Sequence, residues 1–330
     1  MNNLPGKILI TDNFTGEAIA QLTAEFGPAL VLSQNHRPSP EEREGTEVLL
    51  IRSRTQVDKE LLAQLPELKL IVTATSGFDH IDLSACVAQG VKVMFTPNAN
   101  ATSVCELTFG LLISLFRHLG AMKKVVNNNL WKDSLGWGRE LYGQHLGIFG
   151  LGRIGSQVAR VAQCFGMTVS AHDPYQADEI FASLGVERMG LSELLLSADI
   201  VSLHVPLTKE TKHLINHQTL GVINQEAILI NTSRGAVMNE IEVIEALELQ
   251  QLGGLCLDVF EREPLHRSSK LLKLPNVTLS CHIGAYTSAA FQRASLEAVQ
   301  KVILWSKTGQ LSDELPPKCT WYQASNSDVS

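Results

Sequence analysis

Apolar residues in the first hundred positions come in short, nearly continuous runs: Lys7 to Thr11, Ala29 to Leu32, Val48 to Arg52, Lys69 to Thr73 and Val91 to Phe95. Runs of this length, bounded by polar and turn-forming residues, predict strands buried on both faces, as in a parallel sheet. Between them, Asp58 to Leu65 and Asp82 to Gln89 carry helical spacing. Thr102 to Lys124 opens on polar residues and places Leu107, Leu111, Leu112 and Leu115 on one stripe. That pattern predicts a single long, well-buried helix bridging two domains. Asn127 to Tyr142, with Trp131 and Trp137, shows no clear period and reads as a loop or an arm against a partner surface. A second alternating series follows: Leu146 to Phe149, Thr168 to His172, Ile200 to His204, Ala227 to Asn231, Gly254 to Leu257 and Val277 to Ser280. Strands separated by helices in this number are what a doubly wound sheet needs. Ser288 to Lys307 predicts a last amphipathic helix, and the Pro-containing tail from Leu315 onward is expected to be mobile. The fold class is therefore α/β, with two doubly wound units.

Composition narrows the function. Of 330 residues, 45% are hydrophobic and 18% charged, which argues against disorder over most of the chain. Acidic residues outnumber basic ones 34 to 27, a net charge of −7, so no general attraction to nucleic acid or anionic lipid is expected. No apolar run approaches the ~20 residues that span a bilayer. Met1 to Gly6 carries no secretory pattern, and a cytoplasmic location is the expectation. The six cysteines include no C-x-x-C pair, which disfavours structural zinc, and no metal is expected. Most are expected to be small core residues in a reduced compartment.

The sharpest motif is Gly150, Leu151, Gly152, Arg153, Ile154, Gly155, set between the strand ending at Phe149 and a helical run from Ser156. Gly150 permits a tight turn, Gly152 lets backbone amides approach a pyrophosphate, and Gly155 allows helix and strand to pack closely. The following helix N-terminus adds partial positive charge. Asp173 ends the next strand, eighteen residues after Gly155, where a carboxylate can accept hydrogen bonds from ribose hydroxyls. With no Arg or Lys in the few residues after it, NAD is favoured over NADP. Hydride exchange at a carbinol carbon further needs a cation for the substrate and a proton donor near neutrality. Arg234, Glu263 and His282 each follow a predicted strand end, on the side where Gly150 begins its turn. Singly each has a plain alternative: a surface cation, a solvated loop acid, a core histidine. Their shared placement favours a site.

These residues resemble the D-isomer-specific 2-hydroxyacid dehydrogenases over about residues 7 to 307, through Gly150 to Gly155, Asn231 to Gly235, Leu257 to Pro264 and His282 to Gly284 in order and spacing. The resemblance implies that Arg234 binds and polarises the keto acid, His282 exchanges the proton and Glu263 bonds to His282. Formate dehydrogenases of the family carry glutamine in place of Glu263, so that subclass is not expected. It further implies a cofactor shell of Arg153, Ile154, Thr232, Asp258, His282 and Gly284, and a carboxylate-binding loop at Ser76 and Gly77. It also implies a discontinuous fold, with a substrate domain of residues 1–101 and 284–330, a Rossmann domain of 102–283 inserted in it, and substrate between them. Arg52 to Thr55 is similar to the segment in phosphoglycerate dehydrogenases that holds the substrate phosphate, which makes Arg52 and Arg54 phosphate ligands by implication and 3-phosphoglycerate the leading substrate. Alternatives are a glyoxylate or hydroxypyruvate reductase and, in another class, an NAD-sensing protein like the corepressors of this fold. The long helix and the tryptophan-bearing segment after it resemble the family's twofold contact and imply a homodimer.

Overall fold

The structure, a computed structural model, describes residues 6–33, 35–317 and 322. It forms two compact units: residues up to Asn100 together with those from Tyr286 onward, and Ala101–Ala285.

The first unit begins β1 (Ile8–Ile10), α1 (Gly16–Phe26), β2 (Leu30–Leu32), α2 (Pro40–Arg43), β3 (Val48–Ile51), α3 (Lys59–Ala63), β4 (Leu70–Thr73), α4 (Leu83–Gln89) and β5 (Lys92–Phe95). The strands pair in parallel in the order β2-β1-β3-β4-β5. Each residue of β3 and β4 is buried, which is why these strands read as apolar runs, broken only by Thr73 at the end of β4. Thr15, Ser39, Asp58 and Asp82 cap their helices by accepting from backbone amides.

The second unit contains α5 (Ala101–Phe116), α6 (Leu119–Asn127), β6 (His145–Phe149), α7 (Arg153–Cys164), β7 (Thr168–His172), α8 (Asp178–Leu184), β8 (Glu187–Arg188), α9 (Leu191–Ser197) and β9 (Ile200–Leu203). It continues through α10 (His217–Leu220), β10 (Ile228–Asn231), α11 (Glu240–Glu248), β11 (Gly254–Leu257) and β12 (Val277–Leu279). Its seven strands lie in the order β12-β11-β10-β9-β6-β7-β8, all parallel, so the winding reverses at β6. Helices cover both faces: Ile228 and Ile230 join one apolar cluster with residues of α5 and α7, while Leu229 joins the other with α9 and α11. The chain then returns to the first unit as α12 (Ser288–Thr308), whose Ala294, Ala298, Val299 and Val302 pack with Ile8, Ile10 and Leu22, and as β13 (Glu314–Leu315), antiparallel to β5.

The α/β doubly wound architecture is as the apolar pattern predicts, with three differences. The single helix expected over Thr102 to Lys124 is two helices bent by 49°, with His118 at the break in the left-handed region (φ 54°). The Phe116 carbonyl accepts from the Arg139 amide at 2.9 Å and the Arg139 guanidinium stacks on the Phe116 ring, so the returning arm occupies the end of α5. The short β8 carries no apolar run and extends the sheet beyond the expected strands. The mobility expected of the tail from Leu315 onward does not hold at its start, since Leu315 is buried and registers with Val93. Its remainder lies outside the described residues, apart from Pro316, Pro317 and Tyr322, the last of which packs edge-on against Phe78. Among the described residues no single helix is long and apolar enough to cross a membrane.

Candidate active site

The glycine turn sits at the reversal point of the second sheet, where ligands bind in open α/β sheets. Gly150 has φ 87°, and a Cβ there would lie 2.6 Å from the His204 carbonyl oxygen. A Cβ on Gly155 would lie 2.0 Å from the Gly150 carbonyl, so only glycine lets α7 approach β6 this closely. Gly152, by contrast, faces open space. The amides of Gly152, Arg153 and Ile154 find no acceptor among the described residues, and they point from the N-terminus of the 12-residue α7. Asp173 directly follows β7 and anchors the turn: one carboxylate oxygen accepts from the Leu151 amide at 2.8 Å, the other from the Tyr175 amide at 2.9 Å.

The other site residues lie past the ends of β10, β11 and β12. Asn231 builds the first loop, its side chain accepting from the Ser233 amide and hydroxyl and donating to the Arg234 carbonyl. The Arg234 guanidinium donates to the Ser233 carbonyl at 2.7 Å. Thr232 is buried, its hydroxyl 3.3 Å from that of Thr108. A Cβ on Gly235 would lie 1.9 Å from the Phe260 carbonyl carbon, so the loops after β10 and β11 are in direct contact. Glu263, in the second of these loops, accepts from the His282 ring Nδ1 at 2.6 Å and from the Phe260 amide at 3.1 Å. Because an ionised carboxylate only accepts, Nδ1 carries the proton. The opposite ring nitrogen, Nε2, has no partner among the described residues and can exchange a proton outward.

Asp258 sits beneath His282. It is 1% exposed, and its carboxylate accepts from the Ser280 hydroxyl at 2.6 Å and from the Ile283 and Gly284 amides at 2.8 Å each, while its carbonyl accepts from the His282 amide at 2.7 Å. Expected as a cofactor contact, Asp258 directs both side-chain oxygens at the 280–284 turn and so fixes His282, which holds φ 55°. A Cβ on Gly284 would come within 3.1 Å of that carboxylate.

In the first unit Arg52 follows β3. Its amide donates to Asp12 at 2.6 Å, its guanidinium lies 4.4 Å from the centre of the Phe291 ring, and its Nη1 is sealed from solvent without a hydrogen-bond partner. Burial pushes the Arg52 guanidinium below its ordinary range, against the pull of the Asp12 charge. Arg54 is exposed. Ser76 turns its hydroxyl to the Thr96 and Pro97 carbonyls and the Asn100 side chain, and the Ser76 and Gly77 amides find no acceptor among the described residues.

Residues 109–284 match the sequence model of the D-isomer specific 2-hydroxyacid dehydrogenase NAD binding domain. The chain belongs to this family. It is 36% identical over 301 residues to D-3-phosphoglycerate dehydrogenase of Bacillus subtilis, covering 91% of this chain and 57% of that one. To hydroxypyruvate reductase of Thermotoga maritima it is 37% identical over 260 residues, 78% of this chain and 83% of that one. Among solved structures, D-lactate dehydrogenase of Aquifex aeolicus, complexed with NAD and lactic acid, superposes with a TM-score of 0.81 at 32% identity, covering 91% of this chain and 95% of that one. The chain thus spans under three-fifths of the length of the B. subtilis phosphoglycerate dehydrogenase and of its Methanocaldococcus jannaschii counterpart, at 57% and 59%.

The second unit of this dehydrogenase-family chain fits NAD by its own geometry: unpaired amides at the α7 N-terminus for the pyrophosphate, open space at Gly152, and the Asp173 carboxylate for the adenosine ribose. Sequence reasoning missed Ser280 and Asn231 as supports, although the Asn231, Ser233 spacing of a side-chain-closed turn was a usable signal. It also missed Asp12 and Phe291 around Arg52, which lie 40 and 239 positions away and leave no local trace.

Proposed function

We propose that this chain interconverts a D-2-hydroxy acid and its 2-keto acid with NAD, and that its preferred substrate carries a phosphate, 3-phosphoglycerate being the leading compound. The observation that carries the reaction is the 2.6 Å bond from His282 Nδ1 to Glu263, on a turn fixed by Asp258. In keto-acid reduction His282 Nε2 delivers a proton to the carbonyl oxygen, and Glu263 stabilises the imidazolium form that precedes delivery; in oxidation the neutral ring removes the hydroxyl proton. NAD, when bound, supplies the hydride acceptor or donor. Arg234 offers a planar, always-charged fork to the substrate carboxylate and draws electron density from the carbonyl.

The phosphate assignment rests on Arg52, whose buried Nη1 lacks an acceptor while Phe291 and Asp12 hold the side chain and backbone in place. A desolvated guanidinium nitrogen without an acceptor is costly, and a phosphate oxygen would satisfy it. Ser76 and Gly77 support the same reading through amides available to a carboxylate, and Arg54 adds a nearby exposed charge. The name of the B. subtilis relative agrees with a phosphorylated substrate, and that of the T. maritima relative with hydroxypyruvate.

Steady-state NADH oxidation against 3-phosphohydroxypyruvate, hydroxypyruvate, glyoxylate and pyruvate separates the two. We expect kcat/KM for the phosphorylated acid to exceed the others at least tenfold, and Arg52→Ala to lose about 100-fold on it, near the ~3 kcal/mol of a charge-assisted bond, with under threefold change on hydroxypyruvate. Equal activity on phosphorylated and unphosphorylated acids would discard the phosphate assignment and keep the mechanism.

We further propose a homodimer through α6 and the arm after it, where Leu119, Val126, Leu130, Trp131 and Trp137 are all about half exposed or more, Trp137 fully so. Several large apolar residues exposed along one segment favour a protein contact there.

A further inference from the structure

Two loops flank the glycine turn, one after β7 and one after β9, because β7 and β9 are the two neighbours of β6. A hydrogen bond joins them: the Tyr175 hydroxyl donates to Glu210 at 2.5 Å. The loop after β7 is also tied to the turn itself, and the one after β9 to the end of β6 that leads into it. Gln176 donates to the Leu151 carbonyl at 3.3 Å, Asp173 accepts from the Leu151 amide, and the His204 amide donates to the Phe149 carbonyl at 2.8 Å. The Tyr175–Glu210 bond therefore ties together the two sides of the crevice that the unpaired α7 amides open onto.

The bond also sets the charge at one end of that crevice. The Asp173 carboxylate accepts from the amide of Tyr175, and the hydroxyl of the same tyrosine carries Glu210. The Tyr175 hydroxyl feels both carboxylates, which raise its pKa above the ordinary phenol range, the Glu210 hydrogen bond most of all. Tyr175 thus holds Glu210, an exposed residue on a separate loop, within electrostatic reach of Asp173. The cation closest to Asp173 through a hydrogen bond is Arg188, which donates to the Asp173 carbonyl, pairs with Asp178 and stacks on Phe181. Its charge is already matched by an acid.

We propose that Glu210, positioned by Tyr175, is a second acidic specificity residue that acts with Asp173 to reject a dinucleotide bearing a 2′-phosphate. This rests on the reading of the second unit as the NAD site. A ribose hydroxyl at Asp173 adds no charge, whereas a 2′-phosphate adds about −2 beside two carboxylates. A repulsion of this kind across roughly one Debye length changes affinity by about three- to tenfold and weakens with added salt.

The test is equilibrium binding of NADH and NADPH to the full-length protein by nucleotide fluorescence, without substrate, at low and high salt. For Glu210→Gln we expect the ratio of the NADPH to the NADH dissociation constant to fall at least threefold, through tighter NADPH binding, with the NADH value within twofold of wild type. Tyr175→Phe, which frees Glu210, should lower the ratio in the same direction by a smaller factor, and Asp173→Asn should lower it most. An unchanged ratio in Glu210→Gln alongside a lowered one in Asp173→Asn overturns the role of Glu210. Failure of the folded wild type to bind either nucleotide overturns instead the NAD reading on which it rests. Should Glu210→Gln lower both affinities equally, Glu210 is a structural tie and the proposal is wrong.

Discussion

His282 combines three features that rarely meet: an exposed ring, a left-handed backbone and a carboxylate on one ring nitrogen. The left-handed conformation costs a non-glycine residue roughly 1–2 kcal/mol, and the turn is held in it by three bonds to Asp258 at the His282, Ile283 and Gly284 amides. His282→Ala should reduce kcat by about 100- to 10,000-fold, the usual range for a lost general acid, while leaving NADH affinity within a few-fold. Glu263→Gln retains a hydrogen-bond partner but removes the charge, and should cost kcat about 10- to 100-fold by lost stabilisation of the imidazolium. Stopped-flow single turnovers and fluorescence titration separate the two quantities. A different histidine is expected to contribute to acid stability. His204 bonds to Ser202 through Nε2, its Nδ1 is buried without a partner, and burial holds its pKa down to about 4 from 6.5. The residue as a whole is partly exposed, but its Nδ1 is sealed, so the charged ring would carry a buried N–H with no acceptor. The unfolded chain therefore takes up a proton below pH 6.5 that the folded chain refuses until near pH 4, so stability falls as pH drops through that window and levels off below it. Between about pH 7 and pH 5 wild type should lose up to about 2 kcal/mol more than His204→Gln in urea unfolding. Identical losses would mean that His204 is protonated in the native state.

At the scale of elements, the glycine turn makes two opposite forecasts from neighbouring positions. Gly155→Ala forces a Cβ to within 2.0 Å of the Gly150 carbonyl, which is backbone and cannot move cheaply, so unfolding free energy should fall by about 2–4 kcal/mol. Gly152→Ala meets open space at a negative φ and should leave stability within about 0.5 kcal/mol while weakening NADH binding, since its methyl group intrudes where the pyrophosphate would lie. Equal destabilisation by both would contradict this division. The motif that carries this prediction was readable because its spacing between a strand and a helix is local. So were the strands: residues buried on both faces are mostly apolar, and β3, β4, β10 and β11 stand out as a result, with Thr73 and Asn231 the buried polar residues at the ends of β4 and β10. The break between α5 and α6 was not readable, because its cause is the Arg139 amide on the Phe116 carbonyl, 23 positions away. Nor was β8, two exposed residues whose strand form depends on β7 beside it.

For the whole molecule, the apolar surface of α6 and its arm leads to an association test. Sedimentation equilibrium at micromolar concentration should give a dimer mass, and Trp137→Glu should shift the equilibrium toward monomer by at least tenfold, because burying an unpaired carboxylate at an interface is costly. A monomeric wild type would end the dimer proposal. The sequence by itself determined the class of fold, the position of the dinucleotide turn and the identity of the residues past each strand end, because burial, turn geometry and phosphate binding each demand a residue type at a local spacing. Beyond the Glu263–His282 bond, which the family resemblance implied, tertiary structure alone decided what those residues do to one another. Glu263 and His282 are 19 positions apart in sequence and 2.6 Å apart in space, Asp258 proves to be the support of a turn, and Tyr175 reaches Glu210 across the crevice. Such pairings follow from strand order. A parallel sheet brings the carboxyl ends of its strands together whatever the lengths of the connections between them, and no local pattern records which loops then meet.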